Sequence, residues 1–430
     1  MCGLAGIVRL DDEPIERNRL QAMLAHMRHR GTDGQARDAH SRAALAHARL
    51  RVLDAPHGAQ PMTLCHDDGA PALTVVFNGE IYNHRELRRT LEGHGHRFRT
   101  DHCDTEVLLH GYRQWGSQLA SRVDGMFAFA VWDHAARSLY LARDRMGKKP
   151  LYVRWQESHG RPSEVIFASL VATIVAGLQR DARLSINRHA LLTFLRIGYT
   201  RERSLIEGAV ELPPAHQMLV DASGQARTEQ YWQPPESTHG SRKEAPHASV
   251  ASLLDEAVAA RLESDAPLGA FLSGGIDSSV VAALAQRRLT ESGAPPLRTF
   301  CVRMPDADYD ESQHAQCVAS HIGSDHTTLD ASSGDTSGGN SGGNSGSNSG
   351  GGGHVIDDLQ HLIRLIGEPT ADSSILPTYW LSRAARGHVT VALSGDGGDE
   401  LFAGYDRYRA MRWLQRHARW VRRLPTRWPG

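Results

Sequence analysis

The second half of the chain is organised around the run Leu268-Gly269-Ala270-Phe271-Leu272-Ser273-Gly274-Gly275-Ile276-Asp277-Ser278-Ser279. Its first five residues are apolar and predict a strand, the glycines and serines predict a turn, and 278–289 is predicted to be a helix. Further strands are predicted over 297–304 and 389–393, and further helices over 251–262 and 311–322. Strands that alternate with helices are typical of a parallel, doubly wound α/β sheet, which binds ligands at the carboxyl ends of its strands.

Two loops that follow predicted strands have the composition of a nucleotide site. In the turn 273–279, glycines allow close approach to an anion, and serine hydroxyls and N–H groups at a helix N-terminus hold phosphate oxygens. This turn lacks the lysine of the GxxxxGK[ST] loop of ATPases. The second loop, Ser394-Gly395-Asp396-Gly397-Gly398-Asp399-Glu400, offers carboxylates that suit Mg²⁺ beside phosphates.

The first half of the chain predicts an antiparallel sheet system with a few covering helices. Asn83 and Asp104 are each placed to cap a helix, and proline pairs at 213–214 and 234–235 bracket a hairpin. A polar linker is predicted over 236–246, and a flexible, solvated Gly/Ser/Asn loop over 332–353. The predicted domains are 2–212, a hairpin and linker over 213–246, and 247–430. Strands are predicted over 73–77, 126–132, 138–143, 150–155 and 165–169.

Cys2 is the candidate nucleophile of the first half. It follows the initiator Met1 and opens the run Cys2-Gly3-Leu4-Ala5-Gly6-Ile7-Val8. Removal of Met1 would give Cys2 a free α-amino group, whose ordinary pKa is about 7.7–8.0. One residue could then supply both a thiolate nucleophile and the base that generates it.

Composition limits the class of protein. The 430 residues carry a formal net charge of -1, which argues against a globally basic nucleic-acid binder. The five cysteines are odd in number and irregularly spaced, which argues against a disulfide framework and against zinc. A signal segment and an apolar run long enough to cross a membrane are both missing from the sequence. We therefore expect a cytoplasmic protein with no nucleic-acid or membrane partner.

With these motifs in this order, the chain resembles the glutamine-dependent asparagine synthetase family from Cys2 to about Tyr408. The resemblance implies an αββα N-terminal-nucleophile glutaminase domain, followed by a doubly wound ATP-pyrophosphatase domain. In the first domain, Cys2 attacks the glutamine amide, and Asn78 and Gly79 form an oxyanion hole. The rest of the implied glutamine site comprises Arg49 as the partner of the α-carboxylate, its neighbours Leu50, Arg51, Val52 and Leu53, and Glu80 and Asp104 around the ammonium.

In the second domain the resemblance implies an ATP site with Mg²⁺ held by Asp277 and Asp399. Asp396 stands where the family has an acid that acts on the acyl-adenylate. The best-known members have Glu at that position, so the shorter Asp is a departure. The implied ATP-binding residues are Leu272, Ser273, Gly274, Gly275, Asp277, Ser278, Ser279, Val302, Ser394 and Gly395.

Two further departures concern the chain itself. Thr32 stands where the family usually has Pro, which predicts a modestly looser loop. The family's synthetase domain continues well beyond position 430, so we expect this sequence to be a fragment or a truncated product. Such a product should not complete the second half-reaction.

The predicted function is the ATP-dependent conversion of aspartate to asparagine through an aspartyl-adenylate, with ammonia released from glutamine. Relatives that share every motif amidate other carboxylates in polymer or natural-product pathways, and 371–374 (Ala-Asp-Ser-Ser) would suit that branch as well. A glutaminase-only fragment is the third alternative. Family members are often homodimers, and the sequence leaves the oligomeric state open.

Overall fold

The computed structural model describes the chain except for residues 12, 41, 159, 180–182, 201, 236–246, 305–307, 309, 331–351 and 419–430. The predicted linker and all but the last two residues of the predicted Gly/Ser/Asn loop thus lie outside the described residues. Contacts divide the chain into two units, Met1–Glu244 with Ser341–Leu376 and Ala245–Asn340 with Pro377–Gly430. The sequence did not indicate that 341–376 would group with the first unit, and the predicted domain boundaries stay a prediction.

The elements follow in chain order. The strands are β1 (Gly3–Arg9), β2 (Gly34–Ala39), β3 (Ala43–Arg49), β4 (Met62–Cys65), β5 (Pro71–Ile81), β6 (Gly125–Asp133), β7 (Ser138–Arg143), β8 (Tyr152–Ser158), β9 (Arg161–Ala168), β10 (Ala209–Glu211), β11 (His216–Val220), β12 (Ala226–Gln230), β13 (Leu268–Phe271), β14 (Arg298–Arg303), β15 (Asp325–Asp330) and β16 (Val391–Leu393). The helices are α1 (Arg17–Met27), α2 (His84–Gly93), α3 (Asp104–Trp115), α4 (Leu119–Arg122), α5 (Val171–Ala176), α6 (Arg188–Ile197), α7 (His247–Ala259), α8 (Ile276–Glu291), α9 (Ser312–Ile322), α10 (Gly352–Ile366), α11 (Ile375–Ala385), α12 (Gly398–Phe402) and α13 (Asp406–Arg416).

In the first unit, strands of both sheets are buried on both faces. The unit therefore has four layers, with two sheets packed face to face and helices on their outer faces. The sheets have the orders β10-β8-β9-β1-β3-β2 and β12-β11-β7-β6-β5-β4, and each strand pair is antiparallel. On β1, Leu4 and Val8 pack against the other sheet, whereas Ala5 and Ile7 pack under α1. This alternation follows from the two-residue period of a strand. The same division on β6 places its phenylalanines against α3, so the predicted αββα arrangement is confirmed.

The second unit contains a parallel sheet of order β15-β14-β13-β16. From β13 the chain runs outward to β14 and β15, and it then returns to the other side of β13 as β16. The strand order therefore reverses between β13 and β16, which is where a doubly wound sheet opens a crevice at its carboxyl edge. The predicted α/β class of this half is confirmed. The helix predicted from Ser278 begins two residues earlier, at Ile276.

Asn83 occupies the predicted N-cap position of α2 without a side-chain capping bond, and the prediction of Asp104 as a cap is wrong. Asn83 precedes α2, but its Nδ2 donates to the carbonyl of Arg122 at 3.0 Å, and its Oδ1 accepts from the amide of Asp124 at 2.9 Å. Asp104 is the first residue of α3 rather than its cap, and its carboxylate accepts from the amide of Ile81 at 3.2 Å. Both side chains satisfy distant backbone groups, which a local sequence pattern does not reveal. In the part of the chain that the structure describes, no helix is both long and apolar enough to span a bilayer.

Candidate active site

Cys2 is held at the entry to the central strand β1. The antiparallel register pairs Gly3 with Ala48 and so places Cys2 beside the residues that follow β3. Its Sγ accepts a hydrogen bond from the amide of Leu50 at 3.3 Å and lies 3.5 Å from the carbonyl oxygen of the same residue. The Cys2 carbonyl accepts from Nε of Arg30 at 2.9 Å. The thiol is therefore fixed at both its side chain and its backbone.

The surroundings of Cys2 keep the thiol protonated. Burial raises the pKa of Cys2 above its ordinary value, and the charge of Asp104 acts in the same direction. The Leu50 hydrogen bond and the charge of Arg49 oppose this rise in pKa without cancelling it. Because only the thiolate is a strong nucleophile, a base has to remove this proton before the sulfur can attack. The sequence-based hypothesis that the α-amino group serves as that base fits this requirement.

Arg49 is the last residue of β3, and backbone carbonyls in the segment that follows orient its guanidinium. Nη1 donates to the carbonyl of Ala55 at 3.0 Å, and Nη2 donates to that of Asp54 at 2.9 Å. Gly58 makes room for this arrangement, since a Cβ there would lie 2.5 Å from Nη2. Arginine carries five N–H donors, so donors remain for a carboxylate. Of the other predicted residues in this segment, Arg51 is exposed, whereas Leu50, Val52 and Leu53 are half-buried.

The loop that carries Thr32 is held by its neighbours. The amide of Asp33 donates to the carbonyl of Arg49 at 2.9 Å, and its Oδ2 accepts from the amide of Arg51 at 2.8 Å. Gly31 lies so close to the backbone of Ala48 that it has no room for a side chain. Thr32 itself is exposed. The loop is therefore tied to the end of β3 through residues 31 and 33, and the rigidity that proline would give at 32 is of minor importance.

Asn78 and Gly79 lie near the end of β5. Asn78 is 1% exposed, and among the described residues its Nδ2 has no hydrogen-bond partner. A buried amide donor without an acceptor is costly in the resting protein, and a developing oxyanion could satisfy it. Gly79 is required for packing, because a Cβ would overlap the carbonyl oxygen of Met126 on β6. The ring of His47 fixes β5 from the other sheet, since its Nε2 lies 2.9 Å from the carbonyl of Phe77.

Asp104 and Glu80 form an acidic pair at the start of α3 and the end of β5. Burial and the negative charge of Glu80 together raise the pKa of Asp104 to about 7, although the hydrogen bond from Ile81 lowers it. Two neighbouring carboxylates repel each other when both are ionised, which raises the pKa of one of them. A substrate ammonium would relieve this repulsion. The arrangement therefore fits the predicted role of both acids, which no observation tests directly.

In the second unit, the turn 273–279 joins β13 to α8 at the crevice of the sheet. Ser273 Oγ lies 2.9 Å from Ser278 Oγ and accepts from the amide of Gly275 at 3.2 Å. These contacts curl the turn around the first amides of α8, which is an anion-binding arrangement. Gly274 has a φ of 83° and no room for a Cβ against His314 of α9. Among the described residues, Ser279 Oγ is buried without a hydrogen-bond partner.

The second predicted loop packs directly on the first. A Cβ at Gly395 would lie 2.7 Å from the amide nitrogen of Ser278, and one at Gly398 would meet the carboxylate of Asp277. Ser394 Oγ donates to Asp396 Oδ2 at 2.9 Å, and both residues are on the accessible side of the loop. Pairing of β13 with β16 produces this close approach. The structure thus places Asp277 beside the acidic loop, as the predicted site needs.

Two of the predicted ATP-binding residues are less accessible. Leu272 is 1% exposed, its side chain lies in the core of the unit, and its amide donates to the carbonyl of Phe300 at 2.8 Å. It can meet a nucleotide only through its backbone. Val302 is half-buried near the end of β14, at the same edge of the sheet.

The carboxylates at this site fit a magnesium ion that arrives bound to ATP better than they fit a permanently bound magnesium ion. In the described part of the chain, no group of three or more His, Cys, Asp or Glu side chains could hold a metal ion. The glycines at 395 and 398 leave the Asp277 carboxylate against the acidic loop without an intervening side chain. Mg²⁺ usually takes one or two carboxylates and completes its shell with phosphates and water. Asp277 has the position of one such carboxylate, and Asp399 as the second ligand stays a prediction.

Two residues beside Cys2 were missed by the sequence reasoning. Arg30 holds the Cys2 carbonyl, and its Nη2 is buried without a partner among the described residues. Its position in the Arg30-Gly31-Thr32-Asp33 motif was a signal that could have identified it. Lys149 is buried with Nζ 3.5 Å from Sδ of Met1. No sequence pattern marks Lys149, because its proximity to Cys2 arises only in the folded sheet.

Comparison with known proteins supports the same division. A family model described as glutamine amidotransferase domain matches residues 1–232, and one described as asparagine synthase matches 249–338 and 351–429. Asparagine synthetase [glutamine-hydrolyzing] 1 of Bacillus subtilis is 31% identical over 415 residues, which cover 95% of this chain and 60% of the relative. Asparagine synthetase [glutamine-hydrolyzing] 3 of Arabidopsis thaliana is 31% identical over 414 residues, or 94% of this chain and 61% of the relative.

An archaeal relative is covered more fully. Putative asparagine synthetase [glutamine-hydrolyzing] 2 of Methanocaldococcus jannaschii is 30% identical over 423 residues, which cover 94% of this chain and 76% of the relative. The chain spans about 60% of the length of the bacterial and plant relatives. The resemblance predicted from the motifs is thus confirmed: the chain belongs to the family of glutamine-hydrolysing asparagine synthetases, with a glutamine amidotransferase domain at its N-terminal end.

Proposed function

We propose that this protein makes asparagine from aspartate, with ATP to activate the acceptor and glutamine to supply the nitrogen. The observation that carries the first half-reaction is the Asn78 amide on the strand that leads to Glu80, a buried donor that has no acceptor among the described residues. The observation that supports the second is the packing of the two glycine-rich loops at the sheet crevice. The choice of substrates is supported by the names of relatives that are longer than this chain.

In the first half-reaction, the α-amino group of Cys2 takes the thiol proton and Sγ attacks the side-chain amide of glutamine. Asn78 Nδ2 and the Gly79 N–H donate to the oxyanion that forms. The C–N bond then breaks, ammonia leaves with the proton from the amine, and a thioester remains on Sγ. Water hydrolyses the thioester to glutamate. Arg49 binds the α-carboxylate of glutamine, and Glu80 and Asp104 bind its ammonium.

In the second half-reaction, the side-chain carboxylate of aspartate attacks the α-phosphorus of ATP and pyrophosphate leaves. The turn 273–279 holds the pyrophosphate oxygens through its serines and the amides that begin α8. Asp277 and Asp399 would hold Mg²⁺, which neutralises phosphate charge when it is bound. Ammonia then attacks the acyl carbon of the aspartyl-adenylate, so that asparagine forms and AMP leaves. Asp396, which accepts a hydrogen bond from Ser394, would act at the edge of this site.

A nitrogen-donor assay tests the proposal. The complete gene product with the wild-type sequence, its Cys2→Ala variant and its Cys65→Ala control are incubated with radiolabelled aspartate, ATP and Mg²⁺, and with either glutamine or ammonium chloride. Cys65 is a half-buried thiol on β4 and serves as the matched control. We expect asparagine and AMP from wild type and control with both donors, and from Cys2→Ala with ammonium only.

The acceptor is tested in the same assay. Absence of AMP and asparagine with aspartate in the wild-type protein would overturn the assignment of aspartate. Release of AMP with a different carboxylate would instead favour a relative that amidates that acceptor. The homodimer implied by the family and the cytoplasmic location expected from the composition stay predictions, and sedimentation equilibrium tests the first of them.

A further inference from the structure

Lys149 is a buried cation with an unusual partner. It is 7% exposed, and its Nζ donates to the thioether sulfur of Met1 at 3.5 Å. A thioether is a weak acceptor, whereas an ammonium group has three donors. A charge that is buried with so little hydrogen bonding is costly. The carboxylates of Glu80 and Asp144 offset part of this cost, and the hydrogen bond of the ammonium is directed at the N-terminal residue.

The backbone around Lys149 fixes the direction of its side chain. Its amide donates to Asp144 Oδ2 at 3.0 Å, and its carbonyl accepts from Nε of Arg143 at 2.9 Å. These bonds anchor the link between β7 and β8. From there the side chain reaches the N-terminal residue that precedes the candidate nucleophile.

Four charged or titratable groups face the Lys149 ammonium from different elements. They are Glu80 at the end of β5, Arg30 after α1, Asp144 after β7, and Cys2 before β1. Burial lowers the pKa of Lys149, Arg30 acts in the same direction, and the two carboxylates oppose them. Met1 Sδ and the Cys2 nitrogen belong to the same short stretch of chain. Covalent geometry therefore keeps Nζ within roughly 9 Å of that nitrogen.

We propose that Lys149 is a positioning residue for the nucleophile: once Met1 is removed, its ammonium faces the new α-amino group of Cys2 and holds that amine in the neutral form. A like charge disfavours protonation of the amine, so the amine stays able to accept the thiol proton. At this separation, a partly buried charge shifts a neighbouring pKa by about one unit. The inference rests on the proposed glutaminase reaction.

The first test is the pH dependence of glutamine hydrolysis. kcat/KM is measured between about pH 5.5 and 9 for wild type, Lys149→Met, Lys149→Arg and Lys148→Met, after intact mass has shown that Met1 is absent. Lys148 is the exposed neighbour and provides the matched control. In the pH profile of Lys149→Met, we expect the acid limb to shift to higher pH by about one pH unit. At the alkaline end, activity should be near that of wild type. Lys149→Arg and Lys148→Met should retain the wild-type limb.

An unchanged acid limb in Lys149→Met, or an equal loss of activity at every pH, would overturn the proposal. Because that variant could fail to fold, a second measurement uses the wild-type protein alone. The α-amino group is labelled with ¹⁵N at Cys2 and titrated by NMR, and we expect its pKa below the ordinary range of about 7.7–8.0. A pKa within or above that range overturns the proposal. Wild-type protein without glutaminase activity would refute the proposed function, whereas the titration would still decide the role of Lys149.

Discussion

The thiol of Cys2 lies 3.3 Å from the amide nitrogen of Leu50, so the candidate nucleophile is hydrogen-bonded to the residue that directly follows Arg49. Pairing of β1 with β3 sets this distance through the backbone. The reacting sulfur and the guanidinium that would bind the substrate carboxylate are thus fixed relative to each other by a sheet ladder. Such an arrangement limits the reorganisation needed when glutamine binds.

We predict that Asn78→Ala lowers kcat for glutamine hydrolysis by about 10²–10³-fold with little change in KM, because it removes a donor used mainly in the transition state. Steady-state kinetics measure both constants. Asn83→Ala is the control, since Asn83 bridges the backbone at 122 and 124 and should affect the melting temperature rather than kcat. A rise in KM with unchanged kcat in Asn78→Ala would contradict the oxyanion role.

Gly79→Ala should destabilise the first unit by about 1–3 kcal/mol, since the added methyl group overlaps the Met126 carbonyl and forces β5 away from β6. Thermal unfolding followed by near-UV circular dichroism measures this loss. Gly93→Ala is a matched control at the end of α2, because no atom lies within 4 Å of the added Cβ. Equal melting temperatures for the two variants would show that β5 adapts to the side chain.

The raised pKa of Asp104 predicts that the free energy of unfolding depends on pH. Its folded pKa of about 7 lies above the ordinary value of 3.8, so the folded state binds the proton more tightly than the unfolded state does. The contribution of Asp104 to stability therefore falls as pH rises from about 4 to about 7. Asp104→Asn removes this fall, and the variant should exceed wild type in stability by on the order of 2–4 kcal/mol at pH 8 but not at pH 4.

Urea unfolding between about pH 4 and pH 8 measures the effect of Asp104→Asn. Asp101→Asn is the control, because that side chain is 91% exposed in the preceding loop. The same Asp104 variant should bind glutamine more weakly, since it loses a carboxylate that faces the ammonium. A variant that gained no stability relative to wild type between the two pH values would contradict the burial argument.

Gly395→Ala should weaken ATP binding by about tenfold or more, because even a small displacement of a positioning loop disrupts a binding site. The methyl group would lie 2.7 Å from the Ser278 amide and 3.0 Å from Asp277, so the two loops must separate. Calorimetric titration with Mg-ATP measures the change, and glutamine hydrolysis should be unaffected. Gly387→Ala, whose Cβ meets nothing within 4 Å, should bind ATP as wild type does.

The sequence was informative where local pattern and tertiary environment agree. The alternating phenylalanines and alanines of β6 predicted a strand and occupy the two faces of that strand. The glycines and serines after β13 predicted a phosphate turn, and the structure places that turn at the crevice of the parallel sheet. In each case neighbouring residues alone determine the conformation.

Sequence reasoning failed where a side chain acts over a long distance. Asn83 and Asp104 have the chemistry of helix caps, yet each bonds a backbone group from another element. Lys149 is 148 positions from Met1 in the chain and meets it only because the link between β7 and β8 ends near the start of β1. Such contacts depend on the pairing of whole strands, which no short motif encodes.

Direct pairing of β13 with β16 has a consequence for how this family can change over time. Leu268 and Val391 are neighbours across the ladder although they are 123 positions apart along the chain. This ladder holds the two loops that follow the strands together. A change in length of the connection between β15 and β16 leaves the ladder in register, so this connection is where lineages can diversify while the nucleotide-facing edge keeps its shape.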